Sequence, residues 1–418
     1  MKCYQIIIFF LLTINFSCSA QQNSTDQLIN QSTRIITAAE RIDVYLPLLK
    51  GKSVAVFANQ TSIVGHSHLV DTLLKRGVKI KKIFAPEHGF RGTADAGENI
   101  TTYKDEKSGV QVVSLYGSRQ KPSAEDLKDV DVILFDVQDV GVRFYTYISS
   151  LQKIMEAAFE NHKPMMILDR PNPNGFYVDG PVLDMKFRSF VGMQPIPIVH
   201  GMTIAEYAFM IAGEKWLSDE ANKTYSYYQD AENSADTPFH FQVIKCQNYT
   251  HKSRYALPVK PSPNLPNMQS IYLYPSICFF EGTAISLGRG TDKPFQQYGS
   301  PMLPNNLYSF TPQSVEGAKN PPLLNQVCYG YDLSKIDAMK EINGRIQLKW
   351  VMEAYKLFPD KEKFFLTTNY FNTLAGNAIL MQQIKDGKSE EDIRKSWEPA
   401  LSDFKKVRKK YLLYDDFE

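Results

Sequence analysis

From residue 53 onward, short apolar runs alternate with stretches of helical spacing, and few architectures accept that alternation. Candidate strands are Ser53 to Ala58, Lys79 to Ala85, Val110 to Leu115, Val132 to Asp136, Met165 to Leu168 and Ile196 to Val199. Between them Leu69 to Lys75 has helical spacing, and from Ile148 to Phe159 the residues Ile148, Leu151, Met155 and Phe159 fall on one helical face. Nearly continuous apolar strands separated by helices predict a mostly parallel sheet covered on both sides. The expected fold is α/β: a Rossmann-like domain over residues 33–202, followed by a smaller α/β auxiliary domain over 203–418 that completes a cleft. A chain of 418 residues with 43% apolar content can bury cores for both.

Each predicted strand ends in hydrogen-bonding side chains. Asn59, Gln60 and Thr61 follow the first; Glu87, His88 and Arg91 the second; Tyr116 the third. Asp136, Gln138, Asp139, Arg143 and Tyr145 follow the fourth, Asp169, Arg170, Asn172 and Asn174 the fifth, and His200 the sixth. In an open α/β sheet the carboxyl ends of the strands share one crevice, so these groups are expected to form a polar rim around a ligand. Taken singly, Asp136 or Asp169 could cap a helix, and Glu87 with Arg91 could be a surface ion pair. Thr203 and Glu206 read as a capping box opening the helix that begins the second domain.

The layout does not imply a dinucleotide, because no GxGxxG follows the first strand and no GxxxxGK[ST] occurs anywhere. A GxSxG nucleophile elbow is also missing. The net charge of +2, from 47 basic and 45 acidic residues, creates no global field for nucleic acid. Residues 1–20 read as a secretory signal, with cleavage after Ala20 or lipidation at Cys18 as alternatives, and the Asn, Gln, Ser and Thr rich stretch 21–32 as a linker. The expected address is therefore exported, periplasmic or lipid-anchored. Without Cys3 and Cys18, three cysteines without CxxC spacing are left, which argues against a disulfide framework or a thiolate metal site. No metal and no cofactor are expected.

In the second half, Phe241 to Lys245 reads as a strand. Pro261, Pro263 and Pro266 fix an extended approach, Met268 to Phe279 forms an aromatic helix, and Gly288 to Asp292 makes a polar loop. Asn264, Glu281 and Arg289 are its candidate site residues. Helical spacing returns in Leu348 to Leu357 and from Ser389, and the basic run Lys405 to Lys410 reads as a solvated helix face.

Carboxylates, Arg, Asn, Gln and Tyr without a thiol nucleophile suit a carbohydrate, whose hydroxyls meet planar polar groups. Glycoside hydrolysis commonly needs two carboxyl groups, and Glu87, beside apolar Phe84 and Pro86, is the first candidate for the acid. FAPEHGFRG from Phe84, SLYG from Ser114, DVQDVGVRFYTYISS from Asp136, LDRPNPNG from Leu168, VHGMT from Val199, PSPNLPNM from Pro261 and FFEGTAISLGRGTDKPF from Phe279 stand in that order. Together they resemble the NamZ-type exo-β-N-acetylmuramidases, long described as a domain of unknown function. The resemblance covers nearly all of the chain after the signal. It implies release of N-acetylmuramic acid from the non-reducing end of peptidoglycan fragments, a site between a Rossmann-like and an auxiliary domain, and a role in cell-wall recycling. Glu87 is carried over as the acid, with His88 shuttling protons or orienting it, and the second group is Asp139, Asp136 or Glu281 in that order. The lactyl carboxylate of that sugar calls for a guanidinium, and Arg91, Arg143 and Arg289 are the candidates. The alternative from another class is a lipoprotein that binds muramyl sugars without cleaving them; a hydrolase for another amino sugar is a third reading.

Overall fold

The computed structural model describes residues 34–92, 102–230 and 239–418. The expected signal, the linker and Cys18 lie outside them. Five strands form as a parallel array: β1 (Ser53–Ala58), β2 (Lys79–Ala85), β4 (Gln111–Ser114), β5 (Val132–Asp136) and β6 (Met165–Leu168). A short β3 (Tyr103–Lys104) pairs antiparallel with β4 at one edge, and β7 (Phe241–Ile244) adds parallel to β6 at the other. The order is β3-β4-β2-β1-β5-β6-β7. β1 therefore sits in the middle, with β2 on one side and β5 on the other.

All six residues of β1 are buried, which explains why its sequence is continuous rather than alternating. Period two still sorts its side chains. Val54, Val56 and Ala58 join a cluster with Tyr45 and Leu49 of α1 (Ile42–Leu49) and Leu69, Val70 and Leu73 of α2 (Leu69–Lys75). Ala55 and Phe57 join the opposite cluster with α3 (Tyr147–Glu160) and α4 (Ile204–Gly213). On that face Phe57 and Phe135 stack with ring centroids 4.7 Å apart, locking β1 to β5. Thr203 and Glu206 form the expected capping box at the start of α4, and the other oxygen of Glu206 accepts from the buried His251 ring at 3.0 Å.

The smaller C-terminal part carries a three-stranded antiparallel sheet of β8 (Gln297–Ser300), β9 (Tyr308–Phe310) and β10 (Cys328–Asp332), with β10 central. Its helices include α6 (Met268–Ile277), α7 (Lys349–Leu357) and α8 (Glu390–Lys409), while α5 (Asp219–Asp230) packs beside α3. The apolar cluster containing Phe57 and α3 continues without a break through Leu273, Phe279, Trp350 and Trp397. The sheet's last strand, β7, lies beyond residue 202, where the sequence suggested a boundary.

Three local expectations are corrected. Ile196 to Val199 is not a strand: Val199 makes isolated bridges to Val142 and Asp179, because Pro195 and Pro197 remove the N–H groups a ladder needs. The aromatic helix ends at Ile277 and tightens into a 3-10 turn over Cys278–Gly282. The basic run of α8 is not wholly solvated, since Arg408 is fully buried, donating to the Gly201 carbonyl at 2.8 and 3.0 Å and pairing with Asp416 at 2.8 Å.

Arg143 bonds the two halves internally. Its guanidinium is fully buried and donates to the carbonyls of Pro181, Ile196 and Leu374, each at 2.8 Å. Burial pushes its pKa down, the direction expected for a cation that meets only dipoles. Arg143→Met leaves the Pro181 and Leu374 carbonyls without a donor, at roughly 1–3 kcal/mol for each unsatisfied group, while the Ile196 carbonyl keeps the Leu183 N–H at 3.1 Å. The variant is expected to unfold at a clearly lower urea midpoint, with Arg143→Lys recovering part of the loss; an unchanged midpoint would show that the three contacts contribute nothing.

Candidate functional site

β2 delivers the central acid. After Ala85 the chain makes a turn closed by the Gly89 N–H on the Pro86 carbonyl at 3.0 Å, with Glu87 and His88 in its middle. His88 stands at φ +67°, in the left-handed region that a side chain ordinarily avoids, so this corner is strained and held by its surroundings. Thr146, the residue before α3, donates its hydroxyl to Glu87 Oε2 at 3.3 Å, and His88 Nε2 meets Ser262 Oγ at 3.2 Å. Burial and the neighbouring Glu87, with which it hydrogen-bonds, push the Tyr116 phenol well up. Arg91 does not pair with Glu87. It grips Asp105 through two bonds of 3.0 and 2.8 Å and lies over Phe90, bracing the far end of the turn. Burial would raise the Asp105 carboxyl, but its bonds to Arg91 and Ser108 outweigh that and hold it at about 2.

Glu87 and His88 line an open cleft. Tyr145, Asn264 and Arg289 line it too, so five of the residues singled out in the sequence meet there. Asn264 is steadied by donating to the Gly317 carbonyl at 2.9 Å. Arg289 donates to Glu281 Oε1 at 3.0 and 2.6 Å and lies over the Phe295 ring, and it also lines an adjoining cavity with Glu281 and Tyr370. Among the described residues Glu87 is the one carboxylate on the wall of the cleft. No group of three or more His, Cys, Asp or Glu among the described residues is placed to hold a metal ion.

Other candidates serve the frame of the site. Asn59 accepts from Thr61 and donates to the Tyr147 hydroxyl at 2.7 Å; Gln60 donates to the Pro261 carbonyl at 3.0 Å. Asp136 and Arg170 form a buried two-bond pair of 2.6 and 2.8 Å, joining the ends of β5 and β6. Gln138 donates to the carbonyls of Asp139 and Pro171. Asp139 is enclosed, with one oxygen accepting from the Gly141 N–H at 2.6 Å, and burial pushes its carboxyl up to about 7. It stands near enough to Tyr145 and Tyr147 that its charge adds to burial in raising both phenols.

Four residues of the expected rim lie buried in other bonding. Asp169, raised by burial to about 7, accepts from Tyr414 at 2.6 Å and from the N–H of Ala205. Asn172 donates to the Met202 carbonyl, His200 accepts from the Met202 N–H and is pushed down to about 3 by burial, and Arg143 is occupied as described. Thr146, Tyr147, Ser262, Tyr274 and Phe295 also line the cleft and were not singled out. The FYTY run that leads into the first residue of α3 carried the signal for the first two, since hydroxyls entering a helix start at a strand end face the same crevice.

The model for the N-terminal part of the exo-β-N-acetylmuramidase NamZ matches residues 54–269, and that for the C-terminal part matches 272–414. A Bacillus subtilis (strain 168) protein named peptidoglycan beta-N-acetylmuramidase NamZ is 37% identical over 431 residues, covering 97% of this chain and 99% of its own. Among solved structures, a DUF1343 family protein of Bacteroides fragilis NCTC 9343 superposes with a TM-score of 0.80 at 46% identity, over 92% of this chain and 99% of its own. A second from the same strain reaches 0.73 at 26% identity, over 92% and 100%. The mostly parallel sheet accords with the solved structures, and the chain belongs to the NamZ family of glycosidases.

Proposed function

We propose that this glycosidase is an exo-acting β-N-acetylmuramidase that releases N-acetylmuramic acid from the non-reducing end of peptidoglycan fragments. The observation that carries the reading is the meeting of Glu87 and Arg289 on one cleft wall. Glu87 is the proton donor to the glycosidic oxygen; its carboxylate is aimed by Thr146 and Tyr116, and His88 on the same turn is held in place by Ser262. Asp139, enclosed beside Tyr145 and Tyr147 and held by the Gly141 N–H, is the second carboxyl. Arg289 is the partner for the lactyl carboxylate, because of the three candidate guanidinium groups it alone lines the cleft beside Glu87, whereas Arg91 is held by Asp105 and Arg143 by three carbonyls. A guanidinium fork meets a carboxylate through two parallel bonds, which a hexosamine without the lactyl ether cannot match. The family description and the Bacillus relative's name support the substrate class. Export, with cleavage after Ala20 or a lipid anchor at Cys18, completes the proposal, in keeping with a wall-recycling role.

The test is incubation with the disaccharide of N-acetylmuramic acid β-linked to N-acetylglucosamine, following free sugars by mass spectrometry. Wild type is expected to liberate N-acetylmuramic acid, and Glu87→Gln to lower kcat by about 10²–10⁴-fold, the usual contribution of a positioned acid. Saturable binding with no cleavage would overturn the enzyme reading in favour of a binding protein.

Arg289→Met separates the role of the lactyl group. A charge-assisted pair contributes roughly 1.5–3 kcal/mol, so kcat/KM for the muramyl substrate is expected to fall on the order of 10- to 100-fold. The same variant should act on a matched substrate lacking the lactyl ether as well as wild type does. Equal losses on both would remove Arg289 from the lactyl contact.

A further inference from the structure

The Pro261 carbonyl receives three donors. Tyr145 Oη lies at 2.9 Å, Gln60 Nε2 at 3.0 Å and Tyr147 Oη at 3.3 Å. A carbonyl oxygen has two lone pairs, so the longest of the three bonds is the one most easily given up. The polarity of Tyr147 is fixed from behind. Asn59 uses its carbonyl oxygen on the N–H and hydroxyl of Thr61, at 2.9 and 2.6 Å, so its amide nitrogen must be what meets the Tyr147 oxygen at 2.7 Å. Tyr147 thus receives a hydrogen bond from Asn59 and keeps its own proton for a partner in front. Tyr147 lines the cleft beside Glu87 and Arg289.

Resting on the muramidase reading, we infer that Tyr147 is a substrate-binding residue whose hydroxyl leaves the Pro261 carbonyl and donates to the acetamido carbonyl oxygen of the bound sugar, with Asn59 as the positioning residue that fixes its polarity. The surroundings select the acceptor. The carboxylates of Glu87 and Asp139 both bear on Tyr147, which disfavours an anion there and leaves the lactyl carboxylate to Arg289. A neutral oxygen that only accepts fits a site that only donates, and an acetamido carbonyl is such an oxygen. Burial raises the Tyr147 phenol, so the donor stays protonated across the physiological range. The displacement needs no rearrangement of the loop, because Tyr145 and Gln60 continue to hold Pro261.

The test compares kcat/KM for the 4-nitrophenyl β-glycoside of N-acetylmuramic acid with that for the analogue bearing a hydroxyl in place of the acetamido group. In Tyr147→Phe the wild-type preference for the acetamido substrate is expected to shrink on the order of 10- to 100-fold, since the site loses the donor that recognises it. Asn59→Asp keeps the phenol in place while turning its proton backward to the new carboxylate, and is expected to shrink the same preference. A folded Tyr147→Phe that loses activity on both substrates in equal measure, or keeps the full preference, overturns the assignment; circular dichroism melts confirm that the variants are folded. A wild type inert on the acetamido substrate defeats the muramidase reading itself and takes this assignment with it.

Discussion

One backbone carbonyl, that of Pro261, sets the geometry of the cleft. Gln60 comes from the end of β1, and Tyr145 and Tyr147 from the approach to α3, so three donors rooted in the parallel sheet close on a loop that belongs to the second half of the chain. The next residue, Ser262, meets His88, and Asn264, two further on, lines the cleft and reaches Gly317. Proline suits position 261, because its fixed φ leaves little freedom for the loop to swing away once its carbonyl is held. The sheet thereby fixes where the C-terminal wall of the cleft stands. Arg143 plays the complementary part deeper in, drawing the carbonyls of Pro181, Ile196 and Leu374 around one guanidinium.

The acid is held by opposing constraints. The left-handed His88 stores strain at the corner that presents Glu87, and such a corner persists only where its flanks are over-determined. Here the flanks are the buried end of β2 on one side and the Arg91 grip on Asp105 on the other. Of the charged pair that the sequence suggested at this turn, one member faces the cleft and the other braces it. Their adjacency in sequence reflects one loop that both presents and supports, which is why Arg91 and Arg289, both guanidinium groups beside aromatic rings, end in different roles.

Much of the fold was legible because parallel strands buried on both faces must be nearly continuously apolar, and β1, β5 and β6 are, while β2 is so only over its last three residues, Ile83, Phe84 and Ala85. The missing sixth strand at Ile196 to Val199 shows the limit of that signal: composition favoured a strand, while Pro195 and Pro197 removed the donors. The polar rim was legible as a set of residues at strand ends, but not as a set of partners. Asp136 with Arg170, Asp169 with Tyr414 and Asn172 with Met202 satisfy each other deep in the fold, using the chemistry that would bind a sugar if it faced outward. Partner choice is decided by residues far away in sequence: Asp169 and Tyr414 are 245 positions apart. Separation in sequence also hid Tyr147, whose partners Asn59 and Pro261 are 88 and 114 positions away.

The placement of charge follows from that division. Asp136 and Arg170 neutralise each other almost wholly out of solvent, and Asp139 and Asp169 meet burial by holding their protons up to about pH 7. A buried ion without a partner is costly, so each of these groups has either a counter-charge or a reason to be neutral. At the cleft the rule relaxes. Glu87 stands on the open wall and accepts from the Thr146 hydroxyl, and Arg289 shares one Glu281 oxygen while keeping a face toward the same space. The sheet edge thus confines its accessible polarity to the side of the crevice where a sugar carrying one carboxylate and one glycosidic oxygen would present matching groups.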